Sequence, residues 1–464
     1  MMIRKKNRMN QCDWRTYQQQ LNSNASRRRR REALLKYSIP VLVVAVIFFC
    51  AYYLSVYEHP SGRPPMPSPS PKPGTTGKAA VMDKLGARRF LEGVSLENLQ
   101  EKQFPVVIKN RRFVIGASVD TELQKFLLNR LDTKNARYIG IVVLEPTSGS
   151  VMAMIGYNRS GDRSNPCTDV LYPAASIFKI VTAAAALEKT GLTPDKLLNF
   201  NGSKHTLYKS QLRETANRYT TRISFKDAFA QSVNPVFGKI GAHRLGKTAL
   251  EEYAYAFGFN SEIPFEMKNS AGTLQVAEDP YNWAEIACGF NKKTKISVLH
   301  GALIAAAMIN GGKFIEPTII KSIHSEADGM SIYRGTAVSY GQAISAETSR
   351  KMETMMQRTV TAGTFKKAFR GMQKDPVLSK LRIGAKSGSM GSNPRHDWFV
   401  GFAATTGRQP VKMALSVIVV HEDYIGKKAG KYARDTINHY FGRILPGQQK
   451  QVRHNPMERA APTG

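Results

Sequence analysis

Residues 172–188 read YPAASIFKIVTAAAALE. The alanine-rich end favours a helix and the Tyr-Pro pair at the start does not, so the sequence predicts a helix that begins near Ser176. Residues three positions apart share a helix face, which brings the Lys179 amine within reach of the Ser176 hydroxyl. Burial beside Phe178 would lower the pKa of this lysine and let it activate the serine as a nucleophile. Simpler explanations exist, because serine at a helix start is commonly only a cap and about one or two SxxK matches arise by chance.

A second motif lies in residues 225–240, which read FKDAFAQSVNPVFGKI. Pro235 interrupts a helical pattern, so Ser232 and Asn234 are expected on a loop, where a hydroxyl and an amide two residues apart can point into one cleft. An ordinary Ser/Asn turn is the commoner explanation when this motif stands alone.

The third motif is IGAKSGS, residues 383–389. Lys386 and the Ser387 hydroxyl could hold a substrate carboxylate, and Gly388 would let a ligand backbone lie close against a strand. A basic loop rich in glycine and serine is again the commoner origin of such a motif by itself. The three motifs are therefore informative only in combination.

Their order is SxxK, SxN about 55 residues later and KSG about 150 residues after that, a set of elements found in acyl-serine enzymes. At this point the sequence resembles the penicillin-binding proteins and the serine β-lactamase superfamily. The resemblance covers residues 119–441, roughly 70% of the chain. It extends to the segments VDTELQ (119–124), VTAGT (360–364) and WFVGF (398–402).

The resemblance implies a role for each matched position in the first two motifs. Ser176 would attack the penultimate D-Ala carbonyl of a peptidoglycan stem peptide that ends in D-Ala-D-Ala, and Lys179 would take its proton. Ser232 would relay a proton to the leaving D-Ala, and Asn234 would hold the amide of the donor peptide. The acyl group would then pass to an amine on a neighbouring stem peptide, forming a cross-link.

The third motif would bind the end of the substrate. The resemblance implies that Lys386 and Ser387 bind the terminal carboxylate beside Gly388. The backbone N–H groups of Ser176 and Ser389 would form an oxyanion hole, with each donor contributing roughly 3 kcal/mol. β-Lactams would acylate the same serine and stop there. No cofactor is implied, and the sequence has no CxxC or HExxH spacing that would predict a metal site.

Apolar runs predict an α+β fold, in which an antiparallel sheet is flanked by an all-helical subdomain and preceded by one transmembrane helix. The predicted strands are 137–144 and 151–155, joined as a hairpin, followed later by 397–403 and 411–420. Helical spacing occurs in 121–131 and in a closing segment, 427–441.

The N-terminal region predicts a membrane anchor. Residues 1–37 carry about eleven basic and two acidic side chains, and residues 38–57 form an uncharged apolar segment of about the twenty residues that span a bilayer. A cleaved signal peptide and a buried core helix fit this pattern less well. We therefore expect a single pass through the bacterial cytoplasmic membrane, with the N-terminus cytoplasmic and the catalytic domain periplasmic or extracellular.

The chain is strongly basic, with 67 Lys and Arg against 35 Asp and Glu and a formal charge of +32. About +9 of this is cytoplasmic in the predicted topology, so the exported part keeps about 32 − 9 = +23. This charge favours anionic lipid or anionic wall polymers as neighbours, and its exported location argues against nucleic acid. The sequence leaves open whether the exported Cys167 and Cys288 form a disulfide or remain separate thiols.

These features predict six parts: a basic cytoplasmic tail (1–37), a transmembrane anchor (38–57), a Pro-rich linker (58–80), a short stalk (81–116), a transpeptidase domain (117–445) and a disordered tail (446–464). Three features depart from the family pattern. Ala174-Ala175 replaces the more usual Pro-Gly, Lys-Ser-Gly-Ser at 386–389 replaces Lys-Thr-Gly-Thr, and the region before the catalytic domain is too short for a glycosyltransferase domain.

Residues 241–248, GAHRLGKT, match the phosphate-loop pattern GxxxxGK[ST]. A phosphate loop follows a buried strand, whereas the preceding residues have a helical pattern, so we interpret this match as a helix-turn-helix with a glycine cap. The function predicted is that of a peptidoglycan D,D-transpeptidase, with cell-wall assembly proteins as further partners. Alternatives are a D,D-carboxypeptidase, a membrane-bound β-lactamase or a β-lactam sensor of the same fold, and a scaffold without activity.

Overall fold

The computed structural model describes residues 82–454 except Ser392 and Arg408, with side chains as far as residue 446. The predicted cytoplasmic tail, membrane anchor and linker (1–80) lie outside the described residues. None of the helices within the described range is both long and apolar enough to cross a membrane.

The described strands are β1 (Gln103–Ile108), β2 (Arg111–Ala117), β3 (Ala136–Leu144), β4 (Val151–Asn158), β5 (Tyr172–Pro173), β6 (Leu197–Phe200), β7 (Thr221–Ser224), β8 (Lys295–Ile296), β9 (Lys313–Ile315), β10 (Ile320–Ser325), β11 (Ser331–Arg334), β12 (Ser339–Gln342), β13 (Leu381–Met390), β14 (Arg395–Thr405) and β15 (Lys412–His421). The described α-helices are α1 (Lys84–Phe90), α2 (Thr121–Leu128), α3 (Lys179–Lys189), α4 (Phe225–Ala230), α5 (Asn234–Ile240), α6 (Gly246–Ala256), α7 (Pro280–Cys288), α8 (Val298–Ile309), α9 (Ala346–Thr361) and α10 (Ala429–His454). Shorter helical turns are the 3-10 segments Ala175–Phe178, Lys209–Leu212, Met372–Lys374 and Leu378–Lys380 and the π-helix Gly241–Leu245.

The central sheet has five antiparallel strands in the order β13-β14-β15-β3-β4. The predicted hairpin is confirmed as β3 and β4, and the two later predicted strands as β14 and β15. The strands read as nearly continuous apolar runs because helices cover both faces of the sheet. Such runs are more typical of buried parallel strands than of antiparallel ones. The antiparallel order brings β13, with the third motif, to the edge of the sheet.

Side chains alternate between two cores along each central strand, as the period of two requires. In β3, Ile141 and Val143 point into a core shared with α2 and α10, whereas Val142 and Leu144 point into a core shared with α3 and α8. Helix α8 is buried along its whole length beneath the sheet. It packs between the sheet and the helical region that contains the first two motifs.

The helical region differs from the all-helical subdomain that the sequence predicted. It contains α3 to α7 as expected, but it also holds a two-stranded pair, β6 with β7, so it is not purely helical. These strands have four residues each and enclose the polar segment 201–220, which leaves too few alternating positions to be detected by period.

The segment predicted as a stalk (81–116) contains α1, β1 and most of β2. They do not form a free-standing unit, because β2 pairs with β10 in a four-stranded sheet ordered β1-β2-β10-β11. Glu266 lies at this junction with 1% of its side chain exposed. It accepts hydrogen bonds from Tyr333 (2.6 Å) and from the backbone amide of Ile319 (3.1 Å). Burial raises the pKa of the Glu266 carboxyl.

Helix α10 begins close to the predicted closing helix but continues to His454, so residues 446–454 of the predicted disordered tail are helical. Pro446 lies inside the helix and removes one backbone hydrogen bond, yet the helix continues past it. The phosphate-loop match is itself helical: α5 precedes it, its first five residues form the π-helix, and α6 begins at Gly246 within it. The helical interpretation of residues 241–248 is thus confirmed.

Candidate active site

The first motif forms a turn that is held from two sides. Strand β5 pairs with β8, and the Trp398 indole N–H donates to the carbonyl of Pro173 at 3.0 Å. The chain then makes the 3-10 turn and enters α3 at Lys179. Ala175 has a φ of +47°, a conformation that costs roughly 1–2 kcal/mol for a residue with a Cβ. A glycine could adopt this conformation without strain. Ala175 therefore occupies a position that suits the glycine expected there from the family pattern.

Ser176 is half-buried on this turn, and its hydroxyl does not cap the helix. Neither the 3-10 turn nor α3 receives a capping hydrogen bond from a side chain. The Ser176 Oγ instead lies 2.9 Å from Lys179 Nζ. This contact rejects the helix-cap explanation of the SxxK spacing.

Lys179 is fully buried, and its Nζ has four polar neighbours. They are Ser176 Oγ, Ser232 Oγ at 3.1 Å, the Ser232 carbonyl at 3.2 Å and Asn234 Oδ1 at 2.6 Å. Burial lowers the pKa of Lys179 to about 8, although the nearby Cys288 opposes this shift. A neutral amine can donate to Asn234 Oδ1 and the Ser232 carbonyl and still direct its lone pair at a serine hydroxyl. Roughly a fifth of the lysine is then neutral at pH 7.4.

The second motif lies where α4 ends and α5 begins. Ser232 adopts a φ of +57°, which turns the chain sharply between the two helices. Asn234 is the first residue of α5, with Pro235 next to it. Its Nδ2 donates to the His205 carbonyl at 2.9 Å, which fixes the amide so that its oxygen faces Lys179. The contact of this oxygen with the base is additional to the predicted role of Asn234, which is to hold the donor peptide.

The third motif lies on edge strand β13. Lys386 is fully buried, and its Nζ lies 3.0 Å from Ser232 Oγ and 2.8 Å from the Ser387 carbonyl. Burial lowers the pKa of Lys386 well below its usual value, and the charge of Lys179 lowers it further. The Ser232 hydroxyl therefore bridges two buried lysines, which disfavours charging both at once.

Gly388 is where β13 meets the nucleophile turn. A methyl group here would lie 3.0 Å from Ile177 Cγ1 and 3.3 Å from the Ala174 carbonyl oxygen. An edge strand leaves alternate N–H groups without a strand partner. The exposed Ser389 follows directly, so the predicted oxyanion donor lies on the strand that packs against Ser176.

Two residues that help to build the site were not identified from the sequence. Thr364 follows α9 and shares a 2.6 Å hydrogen bond with the Ser387 hydroxyl. Gly289 ends α7 at a φ of +69°, and a methyl group there would lie 1.9 Å from the Ala175 carbonyl oxygen. Thr364 lies in the segment 360–364, which resembles the corresponding family segment, but that resemblance did not assign a role to Thr364. No local pattern marks Gly289, because its partner is more than a hundred residues away.

Cys167 and Cys288 are both buried and both free thiols in the structure. The Cys167 Sγ lies 3.1 Å from the Ile155 carbonyl, and burial raises the pKa of this thiol well above its usual value. Burial also raises the pKa of Cys288 to about 11. Both behave as small core side chains. In the part of the chain that the structure describes, no cluster of His, Cys, Asp or Glu is arranged to hold a metal ion.

Comparison with known proteins agrees with this geometry. Residues 139–438 match the penicillin binding protein transpeptidase domain. The chain is 27% identical over 312 residues to the peptidoglycan D,D-transpeptidase PbpA of Mycobacterium tuberculosis, a match that covers 60% of this chain and 61% of the relative. The chain thus spans about three fifths of the length of that relative.

Solved structures show the same fold. An imipenem acyl-enzyme complex of penicillin-binding protein A from M. tuberculosis superposes with a TM-score of 0.56 at 23% identity, over 70% of this chain and 78% of the other. The D,D-transpeptidase domain of a peptidoglycan glycosyltransferase from Eggerthella lenta gives 0.57 at 22% identity, over 70% and 82%.

Proposed function

The chain belongs to the penicillin-binding protein transpeptidase family, and we propose from this premise that it is a peptidoglycan D,D-transpeptidase. The observation that carries the proposal is the contact of Lys179 Nζ with Ser176 Oγ at 2.9 Å, inside a network that extends through Ser232 to Lys386. This network provides a nucleophile, a buried base, a proton relay and a cation for a carboxylate.

Acylation begins with the neutral amine of Lys179. It takes the proton of Ser176 while Oγ attacks the penultimate D-Ala carbonyl of the donor stem peptide. The developing oxyanion lies between the turn and β13, where the N–H groups of Ser176 and Ser389 are proposed to stabilise it. The C–N bond then breaks, and the leaving amine receives its proton from Lys179 through the Ser232 hydroxyl, which lies 3.1 Å from it.

Lys386 couples substrate binding to this step. In the free enzyme burial lowers the pKa of both lysines. A substrate carboxylate on Lys386 and Ser387 would favour the charged form of Lys386. A fixed charge there disfavours a second charge on Lys179, because the two amines flank the same hydroxyl. The protonation states of the two lysines are therefore coupled to the binding of a carboxylate.

Deacylation by an amine would repeat these steps in reverse and form the cross-link. Water in place of the amine would make the protein a carboxypeptidase. Incubation of the full chain with lipid-linked stem peptides distinguishes transfer to an amine from hydrolysis by water. Cross-linked dimers are the expected product, and release of D-Ala without dimers would contradict transfer.

We further propose that the enzyme acts at the outer face of the bacterial cytoplasmic membrane. The apolar segment 38–57 after a basic leader supports this placement. Protease treatment of intact spheroplasts tests it: the catalytic domain should be cleaved and the N-terminal tail protected. Cleavage of the tail alone would contradict the orientation.

A further inference from the structure

A basic groove opens beside the third motif, between the end of α9 and the segment that leads to β13. It has a volume of about 490 Å³ and is lined by Thr364, Lys366, Lys367 and Arg370 together with apolar and neutral polar residues. The three cationic side chains are exposed. No carboxylate is among the described residues that line the groove. The groove is thus a concave surface whose positive charge has no lining counter-ion.

The groove is continuous with the proposed carboxylate site. Thr364 lines it and also shares the 2.6 Å hydrogen bond with Ser387. A donor carboxylate on Lys386 and Ser387 would therefore lie at the entrance of the groove. Because that carboxylate belongs to the leaving D-Ala, the groove extends from the leaving-group side of the reaction centre.

The segment that carries the charges is held rigidly. Phe365 and Phe369 pack against Phe399 with ring centroids 4.9 Å and 6.2 Å apart. The Arg434 guanidinium donates to the carbonyls of Ala368 (3.0 Å) and Arg370 (2.8 Å). A backbone that is held in place loses less conformational entropy when its side chains bind an anion than a mobile loop would.

We propose that this basic groove is the acceptor subsite and that it binds a carboxylate of the incoming stem peptide. Aminolysis of the acyl-enzyme is the chemical reverse of acylation, so the attacking amine must arrive where the leaving amine departed. This amine attacks the Ser176 ester and passes one proton through Ser232 to Lys179. The new amide forms as the Ser176 Oγ–C bond breaks, and Lys179 returns the proton to Oγ. The groove lies on that side and would orient an acceptor through the carboxylate that it binds.

This inference rests on the proposed transpeptidase function, and the partition of the acyl-enzyme tests it. The full chain is acylated with a D-alanyl thioester donor, whose released thiol reports acyl-enzyme formation. Two amine acceptor peptides are compared that differ only in a free carboxyl or a carboxamide terminus. The ratio of aminolysis to hydrolysis product is measured by mass spectrometry for wild type, Lys367→Gln, Arg370→Gln and the control Lys374→Gln, an exposed lysine outside the groove.

We expect Lys367→Gln and Arg370→Gln each to lower the ratio about threefold to fivefold with the carboxylate acceptor, the size of an exposed charge contact. With the carboxamide acceptor they should match wild type, and Lys374→Gln should match it with both. A ratio that stays at the wild-type value, or that falls equally with both acceptors, overturns the subsite. Thermal melting and thiol release confirm that each variant is folded. Failure of the transpeptidase proposal would look different, because wild type would then give no aminolysis product with either acceptor.

Discussion

Gly289 packs directly against the backbone of Ala175, the residue before the nucleophile. A methyl group on Gly289 would lie 1.9 Å from the Ala175 carbonyl oxygen and 2.9 Å from the amide nitrogen of Ser176. The end of α7 thus supports the strained turn that presents the serine. The turn must move if anything larger than hydrogen is placed there.

Gly289→Ala should therefore displace the nucleophile. We expect the rate of acylation by penicillin to fall at least about tenfold and the free energy of unfolding to fall by about 2–3 kcal/mol, since the clash involves backbone atoms that cannot rotate away. Gly191→Ala is the matched control, because Gly191 follows the end of α3 with a similar φ of +65°, but a methyl group placed there would have no other atom within 4 Å. Equal losses in the two variants would show that backbone conformation alone, and not contact with Ala175, explains the effect.

The Thr364 hydroxyl should matter through Ser387. Thr364→Val removes the 2.6 Å hydrogen bond while keeping the shape of the side chain. We expect the second-order rate constant for acylation by a carboxylate-bearing penicillin to fall about threefold to tenfold, the value of about one hydrogen bond, mainly through weaker binding. Thr354→Val, on the exposed face of α9, is the control and should leave this rate constant unchanged. A loss confined to the first-order acylation step, with penicillin binding unchanged, would contradict a role in positioning Ser387.

Ser232 should be needed for its hydroxyl. Its Oγ lies 3.1 Å from Lys179 Nζ and 3.0 Å from Lys386 Nζ, so its removal breaks the relay. We expect acylation to fall about a hundredfold in both Ser232→Ala and Ser232→Gly. Only the alanine variant should retain the strain of the positive φ, so the glycine variant should be the more stable if that strain outweighs the flexibility that glycine adds to the unfolded chain. Full activity in the glycine variant would contradict the relay.

The pH dependence of acylation should report the base. Because burial lowers the pKa of Lys179 to about 8, the neutral amine becomes more abundant as the pH rises through that value. The second-order rate of penicillin acylation should thus increase nearly tenfold per pH unit below about pH 7 and level off above the pKa. Stopped-flow measurements between about pH 5.5 and 9.5 test this. A rate that is constant from about pH 5.5 to 8 would show that Lys179 is not the titrating base.

The sequence predicted the parts of the site that are close together in the chain. Spacing suggested that Ser176 could meet Lys179 and that Ser232 and Asn234 could share a cleft, but only the order of the three motifs and the family resemblance combined them into one site. The strands β3, β14 and β15 follow from their apolar runs. Contacts between distant segments could not be predicted. The Asn234 oxygen faces Lys179 because the His205 carbonyl holds its amide, and Thr364 meets Ser387 only because α9 packs against β13. The pair β6 and β7 escaped detection because strands of four residues leave little periodicity.

The central claim is that Ser176 is the acylated nucleophile, and intact-mass analysis of the full chain after incubation with penicillin tests it most directly. The wild-type protein should gain the mass of one penicillin, and peptide mapping should locate it in the segment 172–188. Ser176→Ala should gain no mass while keeping the wild-type circular dichroism spectrum. An adduct that persists in Ser176→Ala, or that maps to another residue in the wild type, would contradict the account.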